Sequence, residues 1–250
     1  MGGSIVWAAD SMGDTLENGI WTGFGSINVL DNIGEGLVRV DFSTGQPIPA
    51  LAEEWSVSED GLTYTFNLRD GAVFSDGTPV TGEAVVRSLT RDTNTEYPAY
   101  VEGMYMFPGH GTSNWESVTA PDADTVVMTL IAPDATQPAK LSRPSAYIIS
   151  PTTLDAGAEA VGTNPVFAGA FKIDSFTPGQ EAVLSANESY WAGRPYLDQL
   201  IIRAYPDEAS ILTALEAGEV DITRRDELGQ LAAAFRHMTA GIAETNRAPF

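Results

Sequence analysis

The sequence predicts an α/β chain of mixed sheet and helices, and three observations carry that prediction. Leu62, Tyr64, Phe66 and Leu68 alternate with Thr63, Thr65, Asn67 and Arg69, which is the period of two of a half-buried strand. Asp-Gly pairs at 60–61, 70–71 and 76–77 punctuate this stretch and supply the positive φ of tight turns. Helical stripes flank it on both sides: Ile27, Leu30, Ile33, Gly34 and Leu37 before it, and residues 81–91 after it, with Thr81 as N-cap. A hydrophobic content of 43% with five Trp, eight Tyr and ten Phe belongs to a globular chain. At 250 residues it makes one large domain or two small ones.

In chain order, Ser4 to Ala8 is a short apolar run and a first strand. Asp14 to Ser26 reads as a loop rich in Gly and aromatic residues, and Ile27 to Val38 as a helix. Trp55 and Val57 carry the alternation back before Asp60-Gly61, so Glu54 to Arg69 is a hairpin. In the helix that follows, Gly82 is a poor helix former, costing up to ~1 kcal/mol against Ala in a helix interior. Residues 95–117 are loop-rich and aromatic and receive no assignment. Val118 to Leu130 is a second hairpin turning at Pro121–Asp124, and Ala146 to Pro151 reads as a further strand. At the far end Leu228, Leu231, Phe235, Met238 and Ile242 recur at 3-4-3-4 spacing on an amphipathic terminal helix over 223–250.

Composition excludes several classes of function. Thirty-four acidic residues against 13 basic give a formal charge of −21. Such a charge repels phosphate backbones and anionic lipid, so neither nucleic acid nor direct membrane insertion is expected. The acidity reads as a solvated surface, with capture of a cationic ligand as the other reading. No cysteine is present, which removes disulfides, thiol catalysis and zinc–thiolate sites. No apolar run reaches the roughly 18 residues of a membrane span. The first ten residues lack a basic n-region and an apolar core, so no signal peptide is expected within them. His110 and His237 have no ligand partner at metal spacing. Gly23-Phe24-Gly25 lacks the Lys-Ser/Thr of a phosphate loop, and no Gly-x-Ser-x-Gly elbow occurs. The expectation is therefore no enzyme, no metal and no cofactor.

Particular words of the sequence add to this. Leu51-Ala52-Glu53-Glu54-Trp55, Asp60-Gly61-Leu62-Thr63-Tyr64-Thr65-Phe66, Leu68-Arg69-Asp70-Gly71 and Asp76-Gly77-Thr78-Pro79 form one long block. Gly162 to Lys172, Asn187 to Asp198 and Ala214 to Ile222 form a second. In order and spacing, with Glu35-Gly36-Leu37-Val38 upstream, they resemble the family 5 solute-binding proteins, the extracytoplasmic receptors of ABC importers. The resemblance covers about residues 27–222. Phe167 and Ala170 stand where the family usually has Gly and Pro, so local distortion is expected there.

The resemblance implies a periplasmic-binding-protein-like lobe of mixed sheet with helices plus an inserted β-rich subdomain, the second lobe missing. Residues 1–40 and 156–222 would form the lobe core and 41–155 the insert. It implies a periplasmic or extracellular receptor, monomeric, that binds peptides or a similar small solute for a membrane permease. The loop and helix around residues 21–26 would border the ligand cleft. Trp21, Phe24, Gly25 and Ser26 are the candidate ligand contacts, with Trp21 and Phe24 read equally well as core anchors. The words Asp226-Glu227-Leu228-Gly229 and Ala234-Phe235 to Met238 resemble the second helix of a HAMP signalling module. The alternative function is accordingly a ligand-sensing fragment of a signalling receptor.

Overall fold

The computed structural model describes residues 2–19, 24–91 and 114–220. In chain order the first elements are β1 (Ser4–Ala9), α1 (Phe24–Ile33), β2 (Val38–Asp41), β3 (Gln46–Pro49), β4 (Ala52–Val57), β5 (Thr63–Leu68) and α2 (Gly82–Thr90). Next come β6 (Trp115–Thr119), β7 (Thr125–Leu130), α3 (Gln137–Lys140), a single 3-10 turn (Pro144–Ala146), α4 (Pro151–Ala156) and α5 (Ala158–Thr163). The last are β8 (Phe171–Thr177), β9 (Glu181–Ala186), β10 (Gln199–Ala204) and α6 (Glu208–Glu216). Among the described residues no helix is long and apolar enough to cross a membrane.

One four-stranded sheet has the order β1-β10-β9-β8, with β1 parallel to β10 and the other pairs antiparallel. Ser4 stands opposite Gln199, so the start of the chain pairs with a strand that follows some 190 residues of intervening fold. Ala182 and Leu184 of β9 and Ile202 of β10 are fully buried. They form one core with Val29, Leu30 and Ile33 of α1. The second four-stranded sheet, β4-β5-β7-β6, is wholly antiparallel. Tyr64, Phe66 and Leu68 of β5 and Val126, Met128 and Leu130 of β7 point into a second core, which α2 covers with Ala84, Val85 and Leu89. The short pair β2-β3 forms a ladder of its own, with Val38 buried in the second core.

The first hairpin forms as expected. Asp60 accepts the Leu62 amide at 3.0 Å through Oδ1, and Gly61 takes φ +71°. The second hairpin turns between β6 and β7, and Thr81 Oγ1 accepts the Ala84 amide at 3.3 Å as N-cap of α2. Gly82, expected only to weaken this helix, is required by packing. A Cβ there would stand 2.8 Å from Ala120 Cβ and 2.8 Å from the Asp122 carbonyl oxygen.

Three expectations are corrected. The helix expected over 27–38 runs from Phe24 to Ile33 instead, taking its first turn from the expected loop. It stops because Gly36 and Leu37 give their carbonyls to the amides of Leu51 and Ala52 at 3.2 and 2.9 Å. The strand expected at 146–151 is extended but joins no ladder. Its amides go to unrelated partners: Ile148 to the Glu35 carbonyl, Ile149 to Ser88 Oγ and Ser150 to the Val166 carbonyl. The distortion expected at Phe167 is absent: its side chain is buried in the first core, and no described non-glycine residue has positive φ. The terminal helix expected over 223–250, the unassigned residues 95–113, His110 and His237 lie outside the described residues.

Candidate functional site

The stretch singled out from the sequence enters α1. Gly25 lies in the first turn of that helix, where a Cβ would stand 2.7 Å from Met12 Cα; only glycine lets α1 lie so close to the incoming chain. Ser26 is fully buried, and its hydroxyl donates to the Thr15 carbonyl at 2.7 Å. Thr15 is fixed in turn through its hydroxyl, which donates to the Gly162 carbonyl at 3.3 Å, beside the Leu16 amide at 2.7 Å. Phe24 opens α1, and Trp21 lies outside the described residues. The structure thus brings Gly25 and Ser26 together at the start of α1, with Ser26 already committed to a backbone partner.

Immediately upstream lies a buried polar network that the sequence did not announce. Arg91, the C-cap of α2, donates through Nη2 to Glu17 Oε1 at 3.1 Å and to Asn18 Oδ1 at 2.7 Å. Through Nη1 it donates to the Ser88 carbonyl at 2.7 Å. Glu17 also accepts the Gly19 amide at 2.8 Å, and Asn18 Nδ2 donates to the carbonyls of Pro144 and Tyr147. Arg91, Glu17 and Asn18 are all buried. A charge taken from water is tolerable only when paired and hydrogen-bonded, so this network fixes residues 17–19 against both α2 and the 144–147 segment. Among the described residues Arg91 Nε has no hydrogen-bond partner.

A second buried carboxylate sits past the end of α1. Glu35 Oε2 accepts the Tyr190 hydroxyl at 2.7 Å and the Trp191 indole N–H at 3.2 Å. Burial raises the Glu35 pKa against the opposing pull of Tyr190, Arg39, Trp191 and Arg69. Burial and the Glu35 charge together push the Tyr190 hydroxyl far up, so it stays a donor. The Cζ atoms of Arg69 and Arg39 lie 4.1 and 5.2 Å from the centroid of the Trp191 ring. Next to this group, Gly34 leaves room for the Tyr147 ring, which would stand 2.0 Å from a Cβ.

Neither network holds a nucleophile activated by a base. No group of three or more His, Asp or Glu with metal-holding geometry exists among the described residues. What the arrangement does is immobilise: two buried carboxylates clamp the segments on either side of α1. Sequence reasoning named Glu35, Tyr190 and Trp191 only as family words and missed Glu17, Asn18 and Arg91. Arg91 and Glu17 are separated by 74 positions, and no local pattern links them.

Comparison with known proteins decides the family. The sequence profile described as bacterial extracellular solute-binding proteins, family 5 Middle, matches residues 46–248. The chain belongs to this family. Family 5 relatives include the heme-binding protein A of Haemophilus influenzae, 33% identical over 74% of this chain and 36% of that protein. The dipeptide-binding protein of Escherichia coli is 31% identical over 74% of this chain and 38% of its own length. A probable di/tripeptide-binding protein 5 of Pseudomonas aeruginosa is 34% identical over 82% of this chain and 41% of its own length. The chain thus spans well under half the length of these family 5 relatives. Among solved family 5 structures, the Helicobacter pylori periplasmic binding protein DppA in complex with peptide STSA superposes with a TM-score of 0.80. It is 29% identical, covering 88% of this chain and 46% of that one. A nickel ABC transporter structure from Bacillus halodurans gives a TM-score of 0.75 at 28% identity over 92% of this chain and 45% of that one. The fold is that of the family 5 periplasmic binding proteins, which bind solutes and are not enzymes.

Proposed function

We propose that this chain is the first lobe of a solute-binding component of an ABC import system, taking up peptides or a similar small solute in the periplasm or outside the cell. The observation that carries the reading is the family match over residues 46–248, joined to dipeptide- and di/tripeptide-binding relatives at 31% and 34% identity. The domain reading goes with it. Residues 1–40 and 156–222 are the lobe core, contributing β1 and β8–β10, and residues 41–155 are the insert, contributing β4–β7. The partner is a membrane permease, and the chain acts as a monomer. The family match extends to residue 248, across the stretch that resembles a HAMP helix, and this favours transport over the signalling alternative.

The ligand-contacting stretch in this reading is Trp21, Phe24, Gly25 and Ser26. Support comes from the clamped geometry on both sides: Glu17 and Asn18 upstream, Gly25 and Ser26 at the start of α1. A lobe of this kind binds by closing with a second lobe around the solute, and one lobe alone leaves most of a ligand wet. Amide-resolved NMR with a set of di- and tripeptides tests the reading. Expected are saturable shifts at Gly25 and Ser26 with affinity no tighter than about millimolar, lost in Trp21→Ala. Shifts elsewhere in the chain, or none at all, overturn the assignment of the stretch.

A further inference from the structure

Three guanidinium groups among the described residues, those of Arg39, Arg69 and Arg143, pair with no carboxylate, and two of them share one aromatic ring. Arg87, Arg91, Lys140, Arg194 and Arg203 each reach one within 3.1 Å. Arg39 and Arg69 form no ion pair among the described residues, although the chain carries 34 acidic residues against 13 basic. They converge on one aromatic ring instead, with Cζ of Arg69 4.1 Å and Cζ of Arg39 5.2 Å from the centroid of Trp191. The two carbons therefore stand no farther apart than the sum of those distances, a separation at which like charges repel.

The surroundings are built and rigid. Trp191 is oriented by the hydrogen bond from its indole N–H to the buried Glu35, whose same oxygen also accepts the Tyr190 hydroxyl. Glu35 forms no ion pair with either guanidinium among the described residues, although both charges act on it and Arg39 also meets the Tyr190 hydroxyl. Arg69 is anchored through Nε, which donates to the Ala50 carbonyl at 3.1 Å, and its Nη groups make no hydrogen bond among the described residues. Arg39 is exposed on β2, so solutes reach the cluster. A guanidinium stacked on an indole spends its face on the ring and keeps its in-plane N–H groups for a planar acceptor. Two guanidiniums within reach of one acceptor can match the two oxygens of a carboxylate or a phosphate.

We propose that Arg39 and Arg69, held over Trp191, form a binding site for a single oxyanion, a carboxylate or phosphate group. The site uses none of the residues at 21–26 and stands whether or not that stretch contacts a solute. The test is fluorine NMR of the whole chain carrying 5-fluorotryptophan, with the Trp191 and Trp21 resonances assigned by Trp191→Phe and Trp21→Phe. Inorganic phosphate, acetate and N-acetyl-diglycine are titrated against sodium chloride at matched ionic strength. The expected result is a saturable shift of the Trp191 resonance with at least one oxyanion and not with chloride. Arg39→Gln, a change at an exposed side chain, should raise the half-saturation concentration at least about tenfold. Saturation by phosphate alone assigns the phosphate class, and saturation by acetate and the blocked peptide assigns a carboxylate. A drift no different from that in chloride overturns the proposal, as does saturation unchanged in Arg39→Gln or a response confined to Trp21.

Discussion

Two buried carboxylates show how differently one residue type is used in this chain. Glu17 meets a guanidinium directly, whereas Glu35 accepts from a phenol and an indole and forms no ion pair among the described residues. Burial holds the Glu35 pKa above its ordinary value in the folded chain. A folded pKa above the unfolded one means that the folded state binds the proton more tightly. The contribution of this group is therefore fully present below the unfolded pKa and is lost as pH rises through the folded one. Glu35→Gln keeps an oxygen to accept from Tyr190 and Trp191 but carries no charge. It should raise the melting temperature at pH 8 relative to the parent, with the difference shrinking toward pH 4; a variant less stable at pH 8 contradicts the reading. Glu17 belongs to a buried ion pair instead. Removing either member of a buried pair strands the other, at about 3–5 kcal/mol. Arg91→Met and Glu17→Leu should each be strongly destabilising in urea, and the double variant should cost much less than their sum. Additive costs would mean that the pair is not coupled.

At the scale of elements, what was legible in the sequence is what is local. The alternation of β5 needs only its own residues and its flanking turns, so Tyr64, Phe66 and Leu68 were placed on the buried face correctly, while Leu62, grouped with them, precedes the strand and is only half-buried. Phe66→Ala should cost about 3–5 kcal/mol and Thr65→Ala little, and equal shifts in the melting transition would remove the assignment. The misread elements depend on distant partners. The end of α1 is decided by Leu51 and Ala52, and the 147–150 segment by Glu35, Ser88 and Val166. Gly82 makes the same point in one residue. Helix propensity favours Ala there, but the Asp122 carbonyl and Ala120 occupy the space a methyl would need. Gly82→Ala should thus lower stability, and a gain in denaturation midpoint would show that propensity wins. The candidate site was legible only as far as its family words reached. Gly25 and Ser26 lie within the stretch those words border, while Arg91 is drawn in from another helix by a carboxylate far away in sequence.

For the whole molecule, the question is whether the two cores behave as one unit. The first core holds Leu184 and Ile202, the second Phe66 and Met128. Between them runs a polar seam. Arg91 pairs with Glu17, Ser88 accepts the Ile149 amide, Asp76 accepts the hydroxyls of Ser150 and Thr152, and Ser75 donates to the Phe167 carbonyl. Gly169 donates to the Ile33 carbonyl at 2.9 Å, where a Cβ would stand 2.3 Å from the same oxygen. Most of these groups are buried or partly so, and opening the seam would strand donors and acceptors at about 1–3 kcal/mol each. That penalty, summed over the seam, couples the two halves, so they should melt together. Leu184→Ala and Phe66→Ala then lower the same single transition, and near-ultraviolet circular dichroism and calorimetry follow one curve. Two separated transitions, one moved by each substitution, would show the seam to be weak. In that case Arg91→Met should widen the gap between them no further.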